Sequence, residues 1–192
     1  MCGRYQFSEE QSREMRKIVE EVERKYGETL KTGEIHPGAK APVLVASKDG
    51  PTPELYTWGL RLSNALVINA RAETAAEKPL FRESVEERRC VVPSTGFWEW
   101  DADKRKYFFT LPGSDELYMA GLYAIRDGAP CYCILTTEAN ESMRSVHDRM
   151  PLVLTKNQLG PWLSDPGAAR KLLQTAPPEL GKRDEEAQLR LW

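Results

Sequence analysis

The stretch LYMAGLYAI (residues 117–125), followed by CYCILTT (residues 131–137), indicates the fold class of this chain. Both runs are largely apolar and are bounded by turn residues, which is typical of buried β-strands. Within the second run Cys131 and Cys133 flank Tyr132, so the two thiols should share one face of a strand. Shorter runs of the same type occupy residues 43–46, 55–58, 66–69, 90–92, 107–111 and 152–154.

Helical patterns are fewer. A first helix is predicted to open at a capping box formed by Ser8 and Gln11 and to stop at Gly27. Its apolar positions recur at helical spacing: Met15, Ile18, Val19, Val22 and Tyr26. A second helix is predicted over residues 73–87, and the tail from residue 155 is predicted to be helix interrupted by proline. Short strands without βαβ alternation predict one α+β domain over residues 1–192, with a curved, mostly antiparallel sheet or barrel flanked by helices.

Composition limits the functional classes. The chain has 192 residues and a formal net charge of −2, so any DNA binding must come from a local basic groove. No apolar run approaches membrane-spanning length, and the start is too polar for a signal peptide. The four cysteines lack zinc-site spacing, and we expect neither a metal nor a cofactor. We expect a reduced, cytoplasmic monomer.

Cys2 directly follows the initiator methionine. Because the second residue is small, we expect Met1 to be removed, which leaves an α-amine and a thiol on adjacent carbons. Both are nucleophiles, with reference pKa values near ~8 and ~8.5. Such an amine condenses with an aldehyde to an imine, and the thiol then closes a five-membered thiazolidine ring. The alternative is a cysteine that merely happens to follow methionine.

Three further segments carry polar groups among apolar residues. Asn69 and Arg71 project from one face where a buried strand ends, although Asn69 could instead cap the next helix. Glu99 lies between Trp98 and Trp100, where low dielectric should raise its pKa toward acid–base use, unless it points to solvent from an edge strand.

His147, in the segment Val-His-Asp-Arg-Met-Pro (residues 146–151), is a candidate proton carrier, although a lone histidine is more often structural. No second histidine or cysteine stands at metal-ligand spacing from it. The other histidine, His36, lies in a turn before Pro37 and is interpreted as incidental.

Four segments together resemble the SOS-response-associated peptidase (SRAP) family of abasic-site processing proteins: MCGRY (residues 1–5), NARAET (69–74), RRCVVPSTGFWEW (88–100) and HDRMP (147–151). They occur in family order, and the resemblance covers roughly residues 1–165. It implies a β-rich α+β domain that binds single-stranded DNA. It also implies that Cys2, freed of Met1, forms a thiazolidine crosslink with the aldehyde of an abasic site and so shields the lesion.

The same resemblance implies roles for individual residues. Cys2 matches the nucleophile, Asn69 the amide that orients the amine and the sugar hydroxyl, Glu99 the acid–base residue for ring opening and imine formation, and His147 the residue that assists crosslink reversal. Phosphates are expected at Arg4, Arg71 and Arg149, and base-stacking or wedging surfaces at Pro37, Trp58 and Trp100.

Two departures from the family pattern are expected. The stretch from Trp58 to Asn69 is shorter than in many relatives, and the tail over residues 166–192 lacks a recognisable final strand. Two other functions remain open: a cysteine peptidase or N-terminal-nucleophile hydrolase that removes its own Met1, and a non-catalytic single-strand binding module. A DNA-acting protein is also expected to associate with the nucleoid when it is bound.

Overall fold

The computed structural model describes residues 2–185, and its strands and helices alternate irregularly along the chain. The strands are β1 (Tyr5–Phe7), β2 (Gly33–Ile35), β3 (Lys40–Ser47), β4 (Gly50–Trp58), β5 (Leu60–Leu62), β6 (Ala65–Val67), β7 (Asn69–Arg71), β8 (Arg89–Ser94), β9 (Gly96–Trp100), β10 (Lys106–Thr110), β11 (Leu117–Arg126), β12 (Ala129–Glu138), β13 (Arg149–Pro151), β14 (Val153–Leu154) and β15 (Gly181–Asp184). The helices are α1 (Arg13–Tyr26), α2 (Ala72–Ala75), α3 (Arg82–Glu87), α4 (Glu141–Arg144), α5 (Leu159–Ser164) and α6 (Pro166–Leu172), with a 3-10 turn at Lys156–Gln158.

A closed barrel of five strands forms the core. Strands β4, β3, β8, β11 and β12 pair in that order through antiparallel ladders. A short parallel ladder between β12 and β4, with Cys131 opposite Thr57 and Tyr132 opposite Trp58, closes the ring. Strands β7 and β13 add to β12, and β14 adds to β11. The prediction of an α+β fold around a curved, mostly antiparallel barrel is confirmed.

A second, fully antiparallel sheet carries the N-terminal strand, in the order β15-β10-β9-β1-β2. Strand β8 of the barrel continues into β9 of this sheet through a tight bend at Thr95 and Gly96. A Cβ on Gly96 would lie 2.6 Å from the carbonyl oxygen of Phe109, so glycine lets the two backbones approach closely here. The bend brings β1 and β9 to one side of the barrel.

The first helix begins later than predicted. Its N-cap is Ser12, whose hydroxyl accepts the N–H groups of Glu14 and Met15 and donates to the carboxylate of Glu116 at 2.7 Å. The capping box predicted at Ser8 and Gln11 is therefore wrong, because Ser12 gains a partner from a distant segment that local sequence does not reveal. The predicted end at Gly27 is confirmed, with φ of 70°.

Two other element predictions need correction. The helix predicted over residues 73–87 is split into α2 and α3, with Pro79 in the turn between them, since proline lacks an N–H and disfavours helix at the residue before it. The strand predicted over residues 66–69 is broken at Ile68. The Ile68 carbonyl accepts from Trp58 Nε1 and from the backbone N–H of Ile134. The chain there leaves the β5–β6 hairpin and joins the barrel.

The tail is helical as far as α6, as predicted, but it also contains a final strand that the sequence pattern did not predict. Strand β15 pairs antiparallel with β10, with Arg183 opposite Phe108 and Lys182 opposite Phe109. The sequence Gly-Lys-Arg-Asp has no apolar alternation, and its strand is stabilised by edge pairing and by the Arg183 guanidinium, 5.1 Å from the Phe108 ring centroid. Across residues 2–185, no helix combines the length and apolar character needed to cross a membrane.

Candidate active site

Cys2 lies at the start of the N-terminal segment and is almost completely buried, with 1% of its surface exposed. Burial, together with the nearby charge of Glu99, raises the pKa of its thiol to about 12. The thiol is therefore protonated at neutral pH in this environment, rather than partly ionised as its reference value suggests. Met1, and with it the predicted removal of the initiator, lies outside the described residues.

Asn69 fixes the position of Cys2. Its side-chain Nδ2 donates to the backbone carbonyl oxygen of Cys2 at 3.0 Å, while its Oδ1 is buried and accepts no hydrogen bond from residues 2–185. Asn69 stands at the first position of β7, opposite Ile134 of β12. The alternative role as a helix cap is excluded, because Arg71 occupies the N-cap position of α2 and no side chain caps it.

Glu99 is buried on the inner face of β9, with 5% of its surface exposed. Side chains alternate along a strand, so Trp98 and Trp100 project from the opposite face. The alternative that Glu99 points to solvent from an edge strand is therefore wrong, since the carboxylate points inward. Its influence on the Cys2 thiol shows that the two groups are neighbours.

An aromatic cluster lies beside the Cys2 thiol. The hydroxyls of Tyr5 and Tyr132 are 2.7 Å apart, and both groups are close enough to Cys2 to interact with it electrostatically. The Trp58 ring contacts both tyrosine rings, at centroid distances of 5.2 and 6.4 Å, and is completely buried. Trp58 therefore exposes no surface on which a base could stack, which corrects that expectation; it supports the site from inside.

His147 belongs to a second group of polar residues. Its Nδ1 accepts the backbone N–H of Arg149 at 3.0 Å and lies 2.7 Å from the Asp148 carboxylate. The Arg149 side chain binds the Glu73 carboxylate through both terminal nitrogens and donates to the carbonyl of Thr136. Thr136 stands directly across from Arg71 of β7, so this group adjoins the strand that carries Asn69.

The predicted DNA-binding residues fall into different environments. Arg71 is exposed and, with Asn69 and Lys78, lines a cleft of about 510 Å³. Arg4 stacks over Trp100 at 5.1 Å and pairs with Glu34 at 2.9 Å. Pro37 lies half-buried in a turn. Arg149 binds the Glu73 carboxylate, a partner that the sequence did not predict.

Three charged residues of this region were not predicted as site residues from the sequence. Lys78 lines the same cleft as Arg71, and Lys106 stands 4.7 Å from the Trp98 ring and 5.8 Å from the Trp100 ring. No motif marks either lysine. Glu73 does lie inside the quoted NARAET segment, and its place two residues after Arg71 was the available signal. In the part of the chain that the structure describes, no three His, Cys, Asp or Glu side chains are grouped to hold a metal ion.

Comparison with known proteins gives a consistent result. Residues 1–186 match the model of the SOS response associated peptidase (SRAP) family. The Abasic site processing protein YoqW of Bacillus subtilis (strain 168) is 35% identical over 201 residues, covering 91% of this chain and 87% of that protein. The Abasic site processing protein YedK of Escherichia coli (strain K12) is 27% identical, covering 85% of this chain and 79% of that protein.

Solved structures show the same fold. A protein from Bordetella bronchiseptica superposes with a TM-score of 0.75 at 21% identity, covering 95% of this chain and 99% of that one. A protein from Bacteroides thetaiotaomicron gives a TM-score of 0.73 at 23% identity, covering 95% and 91%. The family match extends past the β15 strand that local sequence reading had failed to recognise. The chain belongs to the SOS response associated peptidase (SRAP) family.

Proposed function

We propose that this protein processes abasic sites in single-stranded DNA by forming a thiazolidine crosslink through Cys2 once Met1 has been removed. The observation that carries the proposal is the hydrogen bond from Asn69 to the Cys2 carbonyl, which holds the first residues beside Glu99. The family match and the names of the relatives, which are Abasic site processing proteins, support the choice of lesion.

The first step joins the Cys2 amine to the aldehyde of the ring-opened sugar. The amine nitrogen attacks the carbonyl carbon, and the oxygen leaves as water after it is protonated, which gives an imine. Asn69 Oδ1 is a buried acceptor with no hydrogen bond from residues 2–185, and it is the group available to orient the amine. Positioning of this kind replaces a bimolecular encounter with a local one.

The second step closes the ring. The Cys2 sulfur bonds to the imine carbon, the C=N electron pair returns to nitrogen, and the thiol proton moves to that nitrogen. Because burial keeps the thiol protonated, this step needs a group to carry the proton, and Glu99 is the neighbouring carboxylate. Glu99 also serves as the acid that opens the deoxyribose ring. His147 assists the reverse reaction: it interacts with the hydroxyl of the ring-opened sugar while the crosslink is broken and DNA is released.

Contacts with DNA come from two sides of the site. Arg71 and Lys78 supply positive charge in the cleft beside Asn69, and phosphates bind there through charge and counterion release. Arg4 over Trp100 presents a cation and an aromatic ring together, a combination suited to single strands. Pro37 stays a predicted wedge between bases. A monomer associated with the nucleoid in the cytoplasm also stays a prediction.

The peptidase alternative is weaker. A cysteine peptidase uses a thiolate, and the Cys2 pKa of about 12 leaves almost none at neutral pH. A non-catalytic binding module would account for the positive charge of Arg71 and Lys78. It would not account for the position of Asn69 and Glu99 beside Cys2.

One gel experiment separates the three functions. The purified protein is incubated with single-stranded DNA that carries an abasic site, with the same DNA after borohydride reduction of the aldehyde, and with undamaged DNA. A crosslinking enzyme gives a heat-stable shifted band with the first DNA alone, whereas a peptidase or a simple binding module gives none. An equal covalent yield with reduced DNA would refute aldehyde chemistry. Intact mass of the protein reports whether Met1 is absent.

A further inference from the structure

Glu73 makes an unusually complete contact with Arg149. Its two carboxylate oxygens accept from Nη1 and Nη2 of Arg149 at 2.8 and 2.9 Å, and one of them also accepts from the Thr137 hydroxyl at 3.3 Å. The paired geometry fixes the plane of the guanidinium as well as its charge. Partial burial alone would raise the pKa of Glu73, but hydrogen bonds and charge from Arg149 outweigh it, so the pKa is lowered.

Arg149 has few donors left for another ligand. Its Nη2 also donates to the Thr136 carbonyl at 2.6 Å, and the side chain is only 14% exposed. Its Nε is buried and makes no hydrogen bond within residues 2–185. A DNA phosphate would have to displace Glu73 to bind this guanidinium in the two-pronged manner that arginine prefers.

The backbone of Arg149 has a separate role. Its N–H donates to Nδ1 of His147 at 3.0 Å, and a nitrogen that accepts a hydrogen bond carries no proton. While this hydrogen bond is made, a neutral His147 holds its proton on Nε2. Asp148 lies 2.7 Å from the same Nδ1 and would accept a hydrogen bond if that nitrogen carried the proton, so it competes with the Arg149 N–H and favours the opposite tautomer. Either way, the ring is anchored at Nδ1.

We propose that Glu73 is a positioning residue: by clamping Arg149 onto β12, it keeps the Arg149 N–H aimed at His147 and so sets the Nε2–H tautomer used when the crosslink is released. Arg149 then acts through His147 and contributes little to phosphate binding. The link to release rests on the proposed function, whereas the effect of Glu73 on the tautomer is argued from the contacts of Arg149, His147 and Asp148 without it.

Nitrogen NMR tests the tautomer without DNA. The chain contains only two histidines, and His36 pairs with Glu34 away from Glu73, so its ring serves as an internal reference. At pH about 8.5, above the usual imidazole range, ¹⁵N-histidine spectra of the wild type should show the Nε2–H form of His147. Glu73→Gln should give a mixture of tautomers at His147 and leave His36 unchanged.

The matched control is Glu138→Gln, which removes an equal charge from the exposed residue opposite Arg149 on β12. It should leave the His147 spectrum as in the wild type. Glu73→Asp, which keeps the charge, should restore part of the Nε2–H population. An unchanged tautomer in folded Glu73→Gln would overturn the proposal, and so would an equal change in Glu138→Gln.

Crosslink kinetics test the consequence. Glu73→Gln should form the adduct within about twofold of the wild-type rate but release DNA about tenfold more slowly, within the range of a disturbed acid–base group. In a His147→Ala background, Glu73→Gln should produce no further loss, because Glu73 acts through His147. The salt dependence of DNA binding should stay unchanged, whereas Arg71→Ala should flatten it.

Release at the wild-type rate would remove Glu73 from the reaction. Tighter DNA binding by Glu73→Gln would instead make Arg149 a phosphate ligand held back by Glu73, which also contradicts the proposal. If the wild type forms no adduct, the proposed function fails, while the NMR result still decides whether Glu73 positions His147.

Discussion

Two arginines in SRAP motif segments, the buried Arg89 and the half-buried Arg149, bind different kinds of acceptor. Arg89 donates to the backbone carbonyls of Val85, Trp162 and Leu163, at 2.7, 2.6 and 3.0 Å, and also to that of Glu86. We call this arrangement the helix-end socket, because its acceptors are carbonyls at the ends of α3 and α5. Arg149 instead binds a carboxylate, and its Nε stays buried without a hydrogen bond in the part of the chain described.

The different partners of the two arginines distinguish a contact that stabilises the fold from one that lies near the candidate active site. Carbonyls at helix ends carry partial negative charge, so a buried guanidinium there satisfies several orphan acceptors at once. The corner formed by Cys2, Asn69 and Glu99 is less complete, since Asn69 Oδ1 is buried and accepts nothing from residues 2–185. Unfilled polar groups in a native interior invite a ligand. Changes in the socket should therefore cost stability, and changes in the corner should cost reaction.

The largest effect is expected for Cys2→Ala. It should abolish the covalent adduct completely, since both ring-forming groups are needed and the thiol is gone, while non-covalent binding to single-stranded DNA persists. Stability should fall by no more than about 1–2 kcal/mol, which is ordinary for a small buried change. Denaturing gels, filter binding and urea unfolding measure the three quantities. A stable adduct in this variant would exclude thiazolidine chemistry.

Arg89→Ala should show the reverse pattern. It leaves several helix-end carbonyls without a donor and should lower the free energy of unfolding by about 3 kcal/mol or more. Adduct yield well below the unfolding midpoint should match the wild type. The control is Arg88→Ala, whose partner Glu83 is exposed and whose loss should cost less than ~1 kcal/mol. Equal losses in both variants would contradict the special role of the socket.

Glu99→Gln should slow adduct formation by at least ~10-fold, because the amide keeps the shape but cannot exchange a proton. Single-turnover gels give the rate, and thermal unfolding should confirm that the buried site tolerates the amide. Glu185→Gln is a suitable comparison, since Glu185 is only 3.4 Å from Trp98 Nε1 yet belongs to the opposite side of β9. A wild-type rate in Glu99→Gln would remove Glu99 from proton transfer.

Ser12→Ala tests a second structural contact, the N-cap of α1. The loss of the N-cap should lower the free energy of unfolding by about 1 kcal/mol, and Glu116 also loses a hydrogen-bond donor. Ser8→Ala should have a smaller effect if the helix begins where the structure has it. Chemical unfolding of the two variants decides between Ser12 and the capping box at Ser8.

The smallest effect concerns pH and the Glu116 carboxylate. Burial raises its pKa, but hydrogen bonds from Lys156 and Ser12 outweigh burial, so the folded pKa is below the unfolded value near ~4.3. Its contribution to stability is therefore fully present above that value and is lost as pH falls through the folded pKa. Unfolding between pH about 6 and 3 should show a shallower loss in Glu116→Gln than in the wild type.

Much of this could be predicted from local sequence. The strands at residues 117–125 and 131–137, the Gly27 helix stop and the barrel class follow from periodicity and composition, since apolar alternation and glycine act over a few residues. The first helix start, the break at Pro79 and β15 were missed or misplaced. Ser12 donates a hydrogen bond to Glu116, and β15 pairs with β10. Neither partner is near in sequence, so a local pattern could not predict these contacts.

The sequence by itself determined the fold class and the family, and it predicted Cys2, Asn69, Glu99 and His147 as site residues. Only the tertiary structure decided which side chains surround them. Trp58 is buried, Glu99 and Trp98 project from opposite faces of β9, and the Arg149 guanidinium binds the Glu73 carboxylate. These outcomes depend on which face of a strand meets the core and on charges brought together from 76 positions apart, as for Glu73 and Arg149. Local propensity carries no information about such distant partners.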